Sequence, residues 1–268
     1  MNDVKINLGK IFLIISYVAM LAVNIGANCF LLNGTTTGEV TTDLQLTFQP
    51  AGFTFSIWGL IYILQLLSMF AYFRWNPALL DADEKKDLIG ILIGSGAVCL
   101  LNLGWIITWH HYLWSSTVVI LVSMFLILAW INFTLDHFSR AEFDFVIIKV
   151  SNRIYFAWVT IAAILNLVIT LIREKVIGAE ISEVTLTIGI LVLSCFLGLG
   201  FLLCLNSISY GAVYLWAYIG ILSNHLSQNG WSGFADSVLF TLCIAMIVIV
   251  AGMCLVVYRQ QKIKISKE

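Results

Sequence analysis

The chain has 268 residues, 60% of them hydrophobic and 11% charged, with 14 Lys plus Arg against 15 Asp plus Glu. An ordinary soluble domain carries about 25% charged residues, so this composition excludes a water-soluble fold, and a net charge of −1 excludes the basic field that nucleic-acid binding requires. Cys29, Cys99, Cys195, Cys204, Cys243 and Cys254 all lie in apolar stretches without a CxxC or His/Cys cluster; they read as small packing residues, with no metal site predicted.

A helix needs about 20 apolar residues to cross the hydrocarbon core, and the apolar runs predict an all-α polytopic membrane bundle of about eight transmembrane helices. The expected spans are 11–32, 53–73, 88–109, 113–133, 145–172, 184–205, 208–225 and 235–258. The first follows Lys5 and Lys10, is longer than a signal h-region and lacks an AxA-type cleavage site, so it reads as a retained span. Between spans one and two, Asn33–Gln49 is rich in Thr and Gly, contains no Lys or Arg and ends at Pro50. It reads as a mobile lid with Phe48 and Pro50 as its gate. The seventh span is the shortest and fits either a crossing helix or a re-entrant segment.

Orientation follows from the loop cations. An inside N-terminus places Lys5, Lys10, Arg74, Lys85, Lys86, Arg140, Arg259, Lys262, Lys264 and Lys267 on the cytoplasmic side and leaves Arg173 and Lys175 outside. Both termini are then cytoplasmic, in a cell membrane.

Three spans carry an aromatic theme. Span two opens Pro50-Ala-Gly-Phe-Thr-Phe-Ser-Ile57-Trp58-Gly-Leu-Ile-Tyr62, with Trp58 and Tyr62 one turn apart. Span three carries Leu101-Asn102-Leu-Gly-Trp105-Ile-Ile-Thr-Trp109, and span five Tyr155-Phe-Ala-Trp158-Val-Thr-Ile-Ala162-Ala-Ile-Leu165-Asn166. In order and spacing these segments resemble the motifs of the translocator protein, or tryptophan-rich sensory protein (TspO/MBR), family, which run approximately PPxWxFxxVWxxLY, LNxxW and PYxxWxxFAxxLN. Gln49, Gly52 and Ile154 stand where those motifs have Pro, Trp and Pro.

The resemblance covers roughly residues 11–172. It implies a five-helix core over 1–175, followed by a three-helix extension with a cytoplasmic tail over 176–268. It also implies a lipophilic cavity open toward the first loop that binds porphyrins and, in some members, sterols. Stacking on rigid indole and phenol faces, with a few amides at the polar edge, suits a flat macrocycle. The expected ligand-binding residues are Trp58, Tyr62, Asn102, Trp105, Trp109, Tyr155, Trp158, Ala162 and Asn166. No cofactor is required, although porphyrin or haem could be bound.

The remaining polar and aromatic residues have plainer readings. Trp75, Trp114 and Trp231 read as interfacial belt residues. Asn24, Asn28, Asn102 and Asn166 either bond neighbouring helices or meet ligand, while Asn132 and Gln65 read as structural. His110 and His111 read as solvated turn residues, with axial haem ligation the sharper alternative. Lys149 and Arg153, with Asp144 nearby, read as snorkelling cations, the alternative being a relay. The small pairs Gly90/Gly94 and Ser194/Gly198 permit close helix approach, including contacts in a homodimer. Tyr210, Tyr214 and Tyr218 form an i, i+4, i+8 stripe. Sterol-type patterns occur twice, at Leu67/Tyr72/Arg74 and Leu255/Tyr258/Lys262, too easily to carry weight.

Binding of a lipophilic small molecule within the bilayer is therefore the expected function, with a sensory, regulatory or transport consequence. A secondary transporter of a small solute is the first alternative, given the eight spans and buried amides. Photo-oxidative porphyrin breakdown, which the resemblance permits, is the second.

Overall fold

Apolar runs become helices because hydrocarbon leaves each backbone N–H and C=O to be satisfied within its own segment. The computed structural model of the chain describes residues 2–42, 47–138, 142–176, 181–227 and 236–265. Among these residues there is no strand, and the long elements are α1 (Asn2–Cys29), α3 (Ile57–Arg74), α4 (Ala82–His110), α5 (Trp114–His137), α6 (Phe143–Arg173), α7 (Glu183–Cys204), α8 (Ile208–Leu226) and α9 (Asp236–Ile265). A short helix, α2 (Thr37–Thr42), lies between α1 and α3. Arg140, Trp231 and Lys267 lie outside the described residues.

Among the described residues seven helices are long and apolar enough to cross a membrane; α8, with 19 residues, is the long helix not among them. Its Ser, Tyr, Asn and His side chains lower its hydropathy. Tyr210, Tyr214, Tyr218 and His225 are nevertheless all buried.

Helix ends follow local chemistry. α4 begins at Ala82, six residues before the predicted start, because Asp81 and Glu84 form a capping box: Asp81 accepts from the backbone N–H groups of Asp83 and Glu84, and Glu84 accepts from that of Asp81. α1 stops at Cys29, short of the predicted Leu32, where Leu31 and Asn33 adopt left-handed φ of 52° and 56°.

The described chain divides into two compact units, residues 1–40 with 56–159, and residues 41–55 with 160–268. The divisions fall inside α2, just before α3 and inside α6. In the first unit a core forms from Leu13, Tyr17, Tyr72, Trp75, Leu88, Leu92, Phe138 and Phe145 among others. Trp75 is therefore not a belt residue: its ring lies 5.6 Å from Phe138 and 5.7 Å from Phe145. Gly90 leaves room for the Trp130 ring, which a Cβ would meet at 2.7 Å. The Gly90/Gly94 pair thus serves packing of α4 on α5.

In the second unit α7 and α8 run antiparallel in continuous register. Ser194 meets Tyr218 (Oγ to Oη 2.7 Å), Gly198 faces the Tyr214 ring, and Phe201 meets Tyr210 (ring centroids 6.1 Å apart). The tyrosine stripe is a packing ridge here: Tyr210 and Tyr214 stack at 5.5 Å, and Tyr210 Oη donates to Thr160 Oγ1 at 3.2 Å. Of the cysteines only Cys99 is buried, with Cys195 half-buried; the other four are exposed on helix faces or ends, so the packing role holds for few of them.

Candidate functional site

In the first unit the aromatic residues of the sequence motifs converge on one indole. The Trp58 ring stacks on Tyr62 of the next turn of α3 at 5.8 Å and lies 5.3 Å from Trp105 of α4. The rings of Tyr155 and Trp158 on α6 meet it edge-on at 6.0 and 6.1 Å. Trp109 extends the cluster, stacked on Trp105 at 5.7 Å with 26° between planes. All these rings except Tyr62 are buried. Edge-to-face and offset arrangements at such separations add about 0.5–1.5 kcal/mol per pair to the apolar burial.

A polar network borders the rings. Tyr62 Oη donates to Asn24 Oδ1 at 2.8 Å, while Asn24 Nδ2 donates to Asn102 Oδ1 at 2.9 Å and to the Met20 carbonyl at 3.0 Å. Tyr17 Oη donates to the Tyr62 carbonyl at 2.9 Å. Tyr17 and Asn24 were absent from the expected binding set; their polar atoms at i and i+7 of an apolar span were the available signal. Trp58 Nε1, Trp105 Nε1 and Asn102 Nδ2 are buried and have no hydrogen-bond partner among the described residues. All three are donors.

The first half of the first loop is fastened to α4. His110 is fully buried, with Nδ1 2.9 Å from the Leu32 carbonyl and Nε2 3.2 Å from Thr37 Oγ1. Since a carbonyl only accepts, Nδ1 carries a proton, and in the neutral ring Nε2 accepts from Thr37. His110 is thus a buried fastening and not a solvated turn residue; His111 is exposed. Trp109 Nε1 donates to the Thr37 carbonyl at 3.2 Å, and Asn33 Nδ2 donates to the His110 carbonyl at 2.8 Å. Thr36 and Glu39 cap α2 reciprocally, and the Thr36 backbone N–H, 2.7 Å from Oε2, holds the Glu39 carboxyl below its ordinary value.

In the second unit, residues 47–55 form a strap on the C-terminal helices. His225 Nε2 lies 2.8 Å from the Thr47 carbonyl, Asn224 Nδ2 donates to the Gln49 carbonyl at 2.9 Å, and Trp216 Nε1 donates to the Thr54 carbonyl at 2.9 Å. The Ala51 backbone N–H donates to the Gly220 carbonyl at 2.9 Å, and Thr47 also bonds Glu183 and Thr187 of α7. Phe48 and Pro50, the expected gate residues, are buried in this strap. Ala162 and Asn166 belong to the same unit, where Asn166 Nδ2 donates to the Ala162 carbonyl at 2.9 Å and its Oδ1 is buried without a partner among the described residues.

Lys149 and Arg153 of α6 share one partner that the sequence reading did not name: each lies 2.7 Å from Asp136 Oδ1 on α5. Asp144 pairs instead with Arg74 at 3.3 Å. Among the described residues no group of three or more His, Cys, Asp or Glu is placed to hold a metal.

A family model described as TSPO-like protein matches residues 10–256. No curated protein and no solved structure matches the chain. The match extends past the motif-bearing segment through α7, α8 and most of α9. With seven apolar helices long enough to cross a membrane, the chain is a multi-pass membrane protein and belongs to the TSPO-like protein family.

Proposed function

We propose that the protein binds a flat lipophilic ligand, of the porphyrin class, against the aromatic cluster of Trp58, Tyr62, Trp105, Trp109, Tyr155 and Trp158. The observation that carries this reading is the set of unpartnered donors within it: Trp58 Nε1, Trp105 Nε1 and Asn102 Nδ2. A buried polar group left without a partner costs about 1–3 kcal/mol, and three beside one another favour a site completed from outside the chain. These three donate and so face an acceptor edge such as a carboxylate or carbonyl, while Tyr155 Oη, also buried without a partner among the described residues, can donate or accept. The rings supply stacking faces and the donors fix orientation, with a sensory, regulatory or carrier consequence for the membrane.

Titration of the detergent-purified protein with protoporphyrin, followed by tryptophan quenching, tests this. Saturable quenching is expected, weakened about three- to tenfold in Trp58→Phe, the loss of one good ring pair. A folded protein with no saturable quenching, or with equal affinity in the variant, would overturn the assignment. A transport reading draws on the Asp136, Lys149 and Arg153 group, one carboxylate at the C-terminal end of α5 between two cations of α6. It requires ion-coupled uptake into proteoliposomes that Asp136→Asn abolishes.

A further inference from the structure

At the far end of the second unit, α9 and the turn between α7 and α8 enclose a groove of about 390 Å³, lined by Leu203, Asn206, Arg259, Lys262 and Ile263. Arg259, Lys262 and Ile263 stand at i, i+3 and i+4, on one face of α9. Opposite them the turn is firmly built. The Leu205 N–H donates to the Phe201 carbonyl at 2.9 Å and the Ser207 N–H to the Leu202 carbonyl at 3.1 Å. Between them Asn206 adopts a left-handed φ of 48°, and its own carbonyl accepts from Gln260 Nε2 at 2.9 Å, tying α9 to the turn.

Three properties of this groove point to one class of occupant. It presents two cations and, among the described residues, neither has an ion-pair partner and no carboxylate lines the groove. It presents one buried acceptor, Asn206 Oδ1, without a partner among the described residues. It also sits where α9 changes from the apolar run ending at Val257 to the polar Tyr258–Lys262, with Leu203 and Ile263 as apolar walls. That change marks the level at which hydrocarbon gives way to headgroups.

We infer that the groove seats the headgroup of an anionic glycerophospholipid. The phosphate lies between Arg259 and Lys262, a headgroup hydroxyl or ammonium donates to Asn206 Oδ1, and the upper acyl chain follows Leu203. A zwitterionic choline lipid has no donor for Asn206, and a sterol carries no charge for either cation. The turn and α9 are held together by the Gln260 bond, so the groove is formed before the lipid arrives.

The experiment is native mass spectrometry of the full-length, delipidated protein titrated with phosphatidylglycerol or phosphatidylcholine. One tightly held phosphatidylglycerol is expected, preferred at least several-fold over phosphatidylcholine. Arg259→Gln with Lys262→Gln should weaken it about 25-fold, roughly fivefold per cation. Leu203→Trp, which fills the groove without altering charge, should weaken it as well, and it decides the matter alone if the double variant aggregates. Equal retention of both lipids, or undiminished phosphatidylglycerol binding in a folded variant, overturns the inference. Displacement of the lipid by an equal concentration of inorganic phosphate would identify the occupant as a free anion and overturn the lipid assignment. Loss of porphyrin binding bears on none of these readouts, because they count lipid.

Discussion

Asn24 joins α1, α3 and α4 through a single amide: its oxygen accepts from Tyr62 and its nitrogen donates to Asn102. Interhelical hydrogen bonds in membranes contribute about 0.6 kcal/mol on average and about 1.7 at most. Tyr62→Phe removes one of these bonds and keeps the ring that stacks on Trp58. It should lower unfolding free energy by about 0.6–1.7 kcal/mol, read from denaturant unfolding in detergent, while protoporphyrin affinity stays within about twofold, since ring stacking is retained. A tenfold loss of affinity would place the hydroxyl itself against the ligand. Within each span the residues of this cluster were legible because indoles and amides at i, i+3 and i+4 share a face, while their grouping across three spans came from the resemblance to the family motifs. Their partners were less legible. Tyr17 and His110 bond to backbone carbonyls, and a carbonyl is present at every position, so neither contact leaves a mark in residue type. Asp136 escaped the reading because it lies one loop before the Lys149, Arg153 pair it neutralises.

Among the elements, the strap at 47–55 departs most from the sequence reading. The Thr and Gly content and the lack of Lys and Arg in Asn33–Gln49 suggest a mobile lid gated by Phe48 and Pro50; residues 43–46 of it lie outside the described residues, and its end, Thr47–Gln49, belongs to the strap that α8 holds through His225, Asn224, Trp216 and Gly220. Three of these bonds run from polar side chains of α8 to strap carbonyls, while the fourth runs from the Ala51 N–H to the Gly220 carbonyl, so the polar side chains account for two observations: the strap is held, and α8 is too polar to count as a span by hydropathy. Each such bond contributes about 0.5–1.5 kcal/mol. Asn224→Ala should therefore raise amide exchange across Thr47–Phe55 by about fivefold, a change of about 1 kcal/mol in local opening, and leave the amides of α4 unchanged. Exchange that stays at the wild-type rate would mean that the Asn224 bond does not govern opening. The apolar cores of α1, α4, α5, α6, α7 and α9 were plain from hydropathy alone, because nothing but lipid and apolar neighbours can satisfy them. Their ends were not, since capping by Asp81 and the left-handed turn after Cys29 act over single residues.

For the whole molecule, the number of crossings decides which side of the membrane each end occupies. Counting only the helices that are apolar enough yields seven, an odd number that would separate the ends. The pairing of α8 with α7 argues for eight. Ser194 with Tyr218, Gly198 with Tyr214 and Phe201 with Tyr210 keep one antiparallel register from Tyr210 to Tyr218, so α8 runs back along α7 over that length. Its 19 residues reach about 28 Å at 1.5 Å per residue, against a hydrocarbon core of about 30 Å. Its polar side chains are tolerated because they are turned into protein. We propose eight crossings, which predict Lys5 and Lys262 on one side of the membrane and, from the excess of Lys and Arg among the loops assigned to that side, a cytoplasmic face there. The check is labelling of Lys5→Cys, Lys262→Cys and Lys175→Cys by an impermeant maleimide in intact cells, each in a background with the six native cysteines replaced by Ala. Position 175 should label, while 5 and 262 should label only after the membrane is opened. Labelling at 262 but not at 5 in intact cells would mean that α8 does not cross, and its register with α7 would then need a membrane boundary running along the pair.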